Sequence, residues 1–197
     1  MTVFAVIPIK ALGAGKSRLG AVLDDGARRA LNRQFLDHVL SITAQVPGAA
    51  MTLVVSADID VLDAARAAGA LALAETGEGG LNAALGQARQ KIEALGGTAM
   101  LVLPADLPHL GKDDVRALMA GAEQAAVVIA PDQAGKGTNA LLLTPPNVID
   151  FHFGDGSLAL HRAAAAQMET GPVLVNRPGL AFDVDTPEDY ACLVETS

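Results

Sequence analysis

Three cations, Lys10, Lys16 and Arg18, fall within nine residues just after the apolar run Val3-Phe4-Ala5-Val6-Ile7-Pro8-Ile9. Gly13 and Gly15 lie between them and leave the backbone open to close approach. Point cations beside free amides are what a polyphosphate needs, so the loop predicts a triphosphate cradle. Two other phosphate loops fail at single positions. A P-loop ending in Gly15-Lys16-Ser17 requires glycine where Lys10 stands, and a dinucleotide fingerprint begun by Gly13 and Gly15 requires its third glycine where Arg18 stands.

The acidic counterpart comes from two distant stretches. Asp106 follows the uninterrupted apolar run 98–103, so it sits just past the carboxyl end of a buried parallel strand, where open α/β sheets bind ligands. Asp183 and Asp185 are two apart in an extended segment, which points both carboxylates the same way. Like charges that close require a cation between them. Three carboxylates of this kind suit a hard divalent ion that keeps some waters and bridges phosphate oxygens, and the expected ion is Mg2+ on Asp106, Asp183 and Asp185. There is no Cys/His cluster for zinc and no nucleophile elbow for a Ser-His-Asp triad.

Two glycine-rich stretches add polar groups. The turn from Glu75 to Asn82 includes Gly79-Gly80, which permits a ligand to lie against the backbone, while Asn82 either satisfies a local amide or reads the edge of a base. Phe153-Gly154-Asp155-Gly156-Ser157 precedes a helix whose free first amides would attract an anion, unless Asp155 or Ser157 simply caps it. His161, one turn on, is expected to pack or cap.

These residues need a scaffold, and the hydrophobic pattern supplies one. Strands are predicted at 3–8, 51–55, 70–74, 98–103, 126–130 and 140–143, with a closing extended segment near 171–175. Helices alternate with them, at 26–40 with Asp25 as cap, 58–68 closed by Gly69, 81–95, 112–123, 158–167 and from Pro187 onward, where Thr186 and Asp189 form a strong start. The β-α-β alternation predicts a three-layer α/β/α fold around a mostly parallel mixed sheet, with residues 1–197 as one domain.

Bulk properties narrow the classes. The chain is 51% hydrophobic and 18% charged, without an apolar run of membrane-spanning length or a signal segment, so a soluble protein is expected. A single cysteine, Cys192, allows no intrachain disulfide and agrees with a cytoplasmic location. The net charge of −8 and an aromatic content of 3% without tryptophan exclude a basic face or a stacking platform for nucleic acid. An alanine-rich surface would permit a homodimer.

Six motifs in order carry a resemblance over nearly the whole chain: Pro8-Ile9-Lys10 with Lys16-Ser17-Arg18-Leu19, Gly80-Leu81-Asn82, Pro104-Ala105-Asp106-Leu107-Pro108, Gly137-Thr138-Asn139-Ala140-Leu141, Phe153-Gly154 with Ser157 and His161, and Asp183-Val184-Asp185-Thr186-Pro187-Glu188-Asp189. The chain resembles the 2-phospho-L-lactate guanylyltransferase family of deazaflavin-coenzyme biosynthesis, whose bacterial relatives include phosphoenolpyruvate guanylyltransferase. The resemblance implies a GT-A-like nucleotidyltransferase fold. It further implies transfer of GMP from GTP to the phosphate of 2-phospho-L-lactate, phosphoenolpyruvate or 3-phosphoglycerate, releasing pyrophosphate. Within it, Lys10, Lys16, Arg18, Gly80, Asn82 and Pro104 would contact the nucleotide, with Lys16, Arg18 and Asp106 at the reacting phosphate. Asp106, Asp183 and Asp185 would hold magnesium, and Thr138, Gly154 and Ser157 the acceptor acid. Molybdopterin and sugar nucleotidyltransferases open instead with a Gly-Gly loop where Pro8-Ile9-Lys10 stands. Two alternatives remain, a GT-A-type glycosyltransferase using a nucleotide-sugar and a non-catalytic nucleotide-binding module.

Overall fold

The first strand forms because its alternate side chains find apolar partners on both faces of a sheet. In β1 (Val3–Pro8), Val3 and Ile7 join one buried cluster while Phe4 and Val6 join another. A computed structural model describes residues 1–77 and 79–196; Glu78, inside the predicted glycine-rich turn, and the terminal Ser197 lie outside the described residues.

Six further strands follow: β2 (Thr52–Ser56), β3 (Leu71–Ala74), β4 (Ala99–Val102), β5 (Val127–Pro131), β6 (Thr138–Leu143) and β7 (Val173–Leu174). They form one sheet in the order β3-β2-β1-β4-β6-β5-β7. The pairs β1/β2, β2/β3, β1/β4 and β5/β7 are parallel, whereas β6 runs antiparallel to both β4 and β5. The antiparallel strand has a local cause. Only residues 132–137 separate β5 from β6, too few for a crossover helix, so the chain reverses as a hairpin. The reversal brings the start of β6 to the rim where β1 and β4 end, since Val102 pairs with Leu141.

Helices cover both faces. On one side lie α1 (Asp25–Thr43), α2 (Ile59–Ala67), α4 (Lys112–Gly121) and the short α6 (Pro178–Ala181), through Leu36, Val39, Val61, Ala65, Val115, Leu118 and Leu180. On the other lie α3 (Gly80–Ala94) and α5 (Ser157–Ala165), through Leu85, Ala88, Ile92, Leu158 and Ala165. The predicted three layers are therefore present. A third cluster of Leu19, Leu31, Phe35 and Val184, with Tyr190 and Leu193 packed on it, joins the 3₁₀ turn Ser17–Ala21 to α1 and to α7 (Pro187–Thr196).

Several helix starts differ from expectation. Asp24, rather than Asp25, caps α1, accepting from the Ala27 amide at 2.7 Å. At α5 the cap position is Gly156, and neither Asp155 nor Ser157 supplies a side-chain cap. The start of α7 follows the expected pattern, with Asp189 accepting from the Thr186 amide and hydroxyl, and Thr186 accepting from the Asp189 amide.

Candidate active site

The cationic loop after β1 is held at Leu12, whose amide and carbonyl are both engaged. The amide donates to Asp58 at 3.0 Å, and the carbonyl accepts from the buried Asn32 side chain at 2.7 Å. The Leu12 amide bond is the leading reason the Asp58 carboxylate sits below its usual range. Asn32 also fills the space beside Gly15, where a Cβ would lie 2.9 Å from its nitrogen. The loop then turns at Lys16, with φ 59°, the one non-glycine at positive φ among the described residues. That conformation costs on the order of 1–2 kcal/mol for an L-residue, and it directs the side chain inward.

The Lys16 ammonium is where the two acidic stretches meet. Nζ donates to Asp106 Oδ2 and, at 2.7 Å, to Asp185 Oδ1, while only 8% of the side chain is exposed. Burial works against the charged amine, but the two carboxylates outweigh it and hold Lys16 above an ordinary lysine. Backbone bonds fix the spacing of the acids. The Val184 amide donates to the Asp106 carbonyl at 3.3 Å, and the Asp185 amide donates to Asp189 at 3.0 Å. Val184 itself is fully buried between the two aspartates, as the alternation required.

Asp183 occupies a different position. Its Oδ1 accepts from Asn139 at 3.1 Å, and Asn139 also donates to the Leu180 and Ala181 carbonyls. Burial raises its affinity for a proton; Asn139 opposes the shift, and the charges of Asp106 and Asp185 add to it. Asp183 thus faces the same centre without touching Lys16. Among the described residues, no three His, Cys, Asp or Glu side chains are gathered closely enough to hold a metal ion. Of the three expected ligands, only Asp106 and Asp185 share a partner.

A cavity of about 400 Å³ opens beside this centre. Lys10, Lys16, Gly80, Pro104, Asp106 and Asp185 line it, with apolar walls from Pro8, Ile9, Val55, Leu81 and Ala84. Glu75, just after the edge strand β3, also lines it. The first turn of α3 reaches the cavity at Gly80 and Leu81 and has no side-chain cap, which leaves amide donors for an anion. Arg18 is exposed and stands outside this lining. Asn82 is likewise absent from it: its side chain donates to the Phe153 carbonyl at 3.1 Å and accepts from the Phe153 amide at 2.9 Å. Asn82 thus clamps a backbone segment 71 residues away rather than a local amide.

That clamp ties the cavity to the predicted acceptor group. Thr138, Gly154 and Ser157 lie outside the cavity lining, around the start of β6 and the turn before α5. The first amides of α5 are not free as expected. Those of Ser157, Leu158 and Ala159 donate to the Gly154, Lys136 and Gly156 carbonyls. The amides of Gly154, Asp155 and Gly156 carry no such bond among the described residues. Thr138 is oriented by the fully buried His161, which accepts from the His152 amide at Nε2 and so donates from Nδ1 to Thr138 Oγ1 at 3.0 Å. Burial, with the neighbouring His152, pulls His161 down to about 4, so the ring is neutral near pH 7.

The sequence reading missed Asn32, Asp58, Glu75 and Asn139. One signal was available: Asn32 interrupts the apolar face Leu31, Phe35, Leu36, Val39, and a polar side chain there requires a partner.

Residues 3–195 match the model of the family described as guanylyl transferase CofC like. A phosphoenolpyruvate guanylyltransferase of Rubrobacter xylanophilus is 46% identical over 98% of this chain and 94% of its own length. A 2-phospho-L-lactate guanylyltransferase of Methanothermobacter thermautotrophicus is 36% identical over 98% of this chain and 85% of its own. Among solved structures, a putative nucleotide-diphospho-sugar transferase from Desulfovibrio desulfuricans G20 superposes with a TM-score of 0.75 at 19% identity, covering 100% of this chain and 88% of that one.

Proposed function

The chain belongs to the CofC-like guanylyl transferase family, and we propose that it moves GMP from GTP onto the phosphate of a small phosphorylated acid, releasing pyrophosphate. The acceptor we propose is phosphoenolpyruvate, following the 46% identical relative of that name, with 2-phospho-L-lactate and 3-phosphoglycerate as weaker substrates. Its setting would be deazaflavin-coenzyme biosynthesis in the cytoplasm. The observation that carries this reading is the Lys16 ammonium shared by Asp106 and Asp185 at the edge of a nucleotide-sized cavity.

The donor set fits magnesium. Two hard carboxylates already converge on one cation, and magnesium is commonly held by one or two carboxylates, with phosphates and water completing its shell. Asp106 and Asp185 would hold it, with Asp183 behind them, and once bound it would neutralise charge on the transferring phosphate. Lys10 and Lys16 offer cations to the triphosphate, and the uncapped first turn of α3 offers amides. Arg18, exposed outside the cavity, would reach only its outer phosphates. Gly80 and Pro104 let the nucleotide lie close to the backbone.

Thr138 Oγ1 accepts from His161 and keeps its own proton to donate, so a phosphorylated acid would find a hydroxyl donor there beside the amides of Gly154 and its neighbours and the Ser157 hydroxyl. A phosphate monoester dianion is already nucleophilic near neutral pH. No general base is required, and catalysis consists of in-line positioning and charge neutralisation.

The test crosses the four nucleoside triphosphates with the three acids and follows pyrophosphate. GTP with phosphoenolpyruvate should be fastest, with no transfer from UDP- or GDP-sugars. GTP binding without pyrophosphate release from any acid would identify a binding module instead.

A further inference from the structure

One carboxylate in the cavity has no work in the reaction as derived. Glu75 follows β3, its amide tied to the Ser56 carbonyl at 2.9 Å, and the half-buried residue lines the cavity. No hydrogen bond or ion pair engages its carboxylate among the described residues. The nearby walls are apolar, formed by Pro8, Ile9, Val55 and Leu81. The order β3-β2-β1-β4 puts three strand spacings, about 14 Å, between the ends of β3 and β4. A nucleotide with its phosphates at Lys16 therefore presents its base toward Glu75.

A carboxylate only accepts hydrogen bonds, and a cavity for a polyanion gains nothing from one unless the ligand brings donors there. Guanine does so: N1–H and the 2-amino group are adjacent donors matching two carboxylate oxygens. Adenine offers an acceptor at N1 and is repelled. We propose that Glu75 accepts from N1–H and the 2-amino group of guanine and so selects GTP, an inference that rests on the GTP-dependent reading above.

The test compares kcat/KM for GTP, ITP and XTP in the wild type and Glu75→Gln. Inosine lacks the 2-amino group, so wild-type protein should use ITP roughly tenfold less well than GTP. Xanthine carries an oxygen in place of that amino group, and a glutamine amide can accept from N1–H while donating to that oxygen. Glu75→Gln should therefore lose roughly ten- to a hundredfold on GTP and gain on XTP, reversing the wild-type preference. Equal use of GTP and ITP by the wild type overturns the inference without any variant. An equal loss on all three triphosphates, as contact with ribose or general damage would give, also overturns it. Wild-type protein that uses no triphosphate would instead sink the transferase reading itself.

Discussion

At the scale of single residues, the centre is an acid pair that is stable only with a cation between its members, and Lys16 supplies it. Removing that ammonium leaves two carboxylates facing each other in a partly desolvated place. Lys16→Ala should then bind Mn2+ in the absence of nucleotide at least about tenfold more tightly than wild type, read by electron paramagnetic resonance titration. Its pyrophosphate release should fall by about a hundredfold or more, since a triphosphate donor is lost. Equal Mn2+ affinity in the two proteins would contradict the pairing. Asp106→Asn should lower turnover by a similar factor while GTP still binds, checked by calorimetry beside the rate assay. The loop cations and the three aspartates were legible because their types are rare in apolar surroundings. That Lys16 would bridge the acids was not, because a side chain's direction depends on the left-handed turn at its own backbone.

At the scale of elements, two contacts hold the rim in shape. His161 links α5 to β6 through Thr138 and to the preceding loop through the His152 amide. Its ring changes from an ordinary 6.5 in the unfolded chain to about 4 in the fold. Between those values the unfolded chain binds the extra proton, so stability is full above pH 6.5 and declines as pH falls toward 4, by about 3 kcal/mol. Urea titrations at pH 7 and pH 4.5 should show this decline in wild type and less of it in His161→Gln; equal declines would exclude the histidine as its source. The second contact holds α6 against α4, where Arg177 donates to Asp114 and Gly179 packs so closely that a Cβ would lie 2.6 Å from the His109 carbonyl. Gly179→Ala should destabilise the protein by about 1–3 kcal/mol in thermal or urea unfolding. Because α6 leads directly into Asp183 and Asp185, it should also reduce turnover. Unchanged stability and turnover would show that the contact yields freely. The sequence indicated α4 and α5 but not the short α6, nor how these helices dock, which rests on pairs far apart in the chain.

At the scale of the whole molecule, the chain collects its polar groups at one rim of a largely apolar sheet, where Lys10 and Lys16 set cations beside the carboxylates of a protein whose net charge is −8. The strand and helix order was readable from periodicity, because buried strands between helices leave long unambiguous apolar runs. The antiparallel insertion of β6 was less visible, since a hairpin between two apolar strands has the same local pattern as a short crossover. It matters, because it alone carries Thr138 and Asn139 to the rim where β1 and β4 end. Joining two phosphates is the reaction proposed for this rim. The most direct measurement is phosphorus NMR of the protein with GTP, magnesium and phosphoenolpyruvate. The GTP and acceptor phosphate signals should decay together into a coupled pair of a new diphosphate, with pyrophosphate appearing in equal amount. GDP and inorganic phosphate as the only products, or an acceptor signal that never changes, would contradict it.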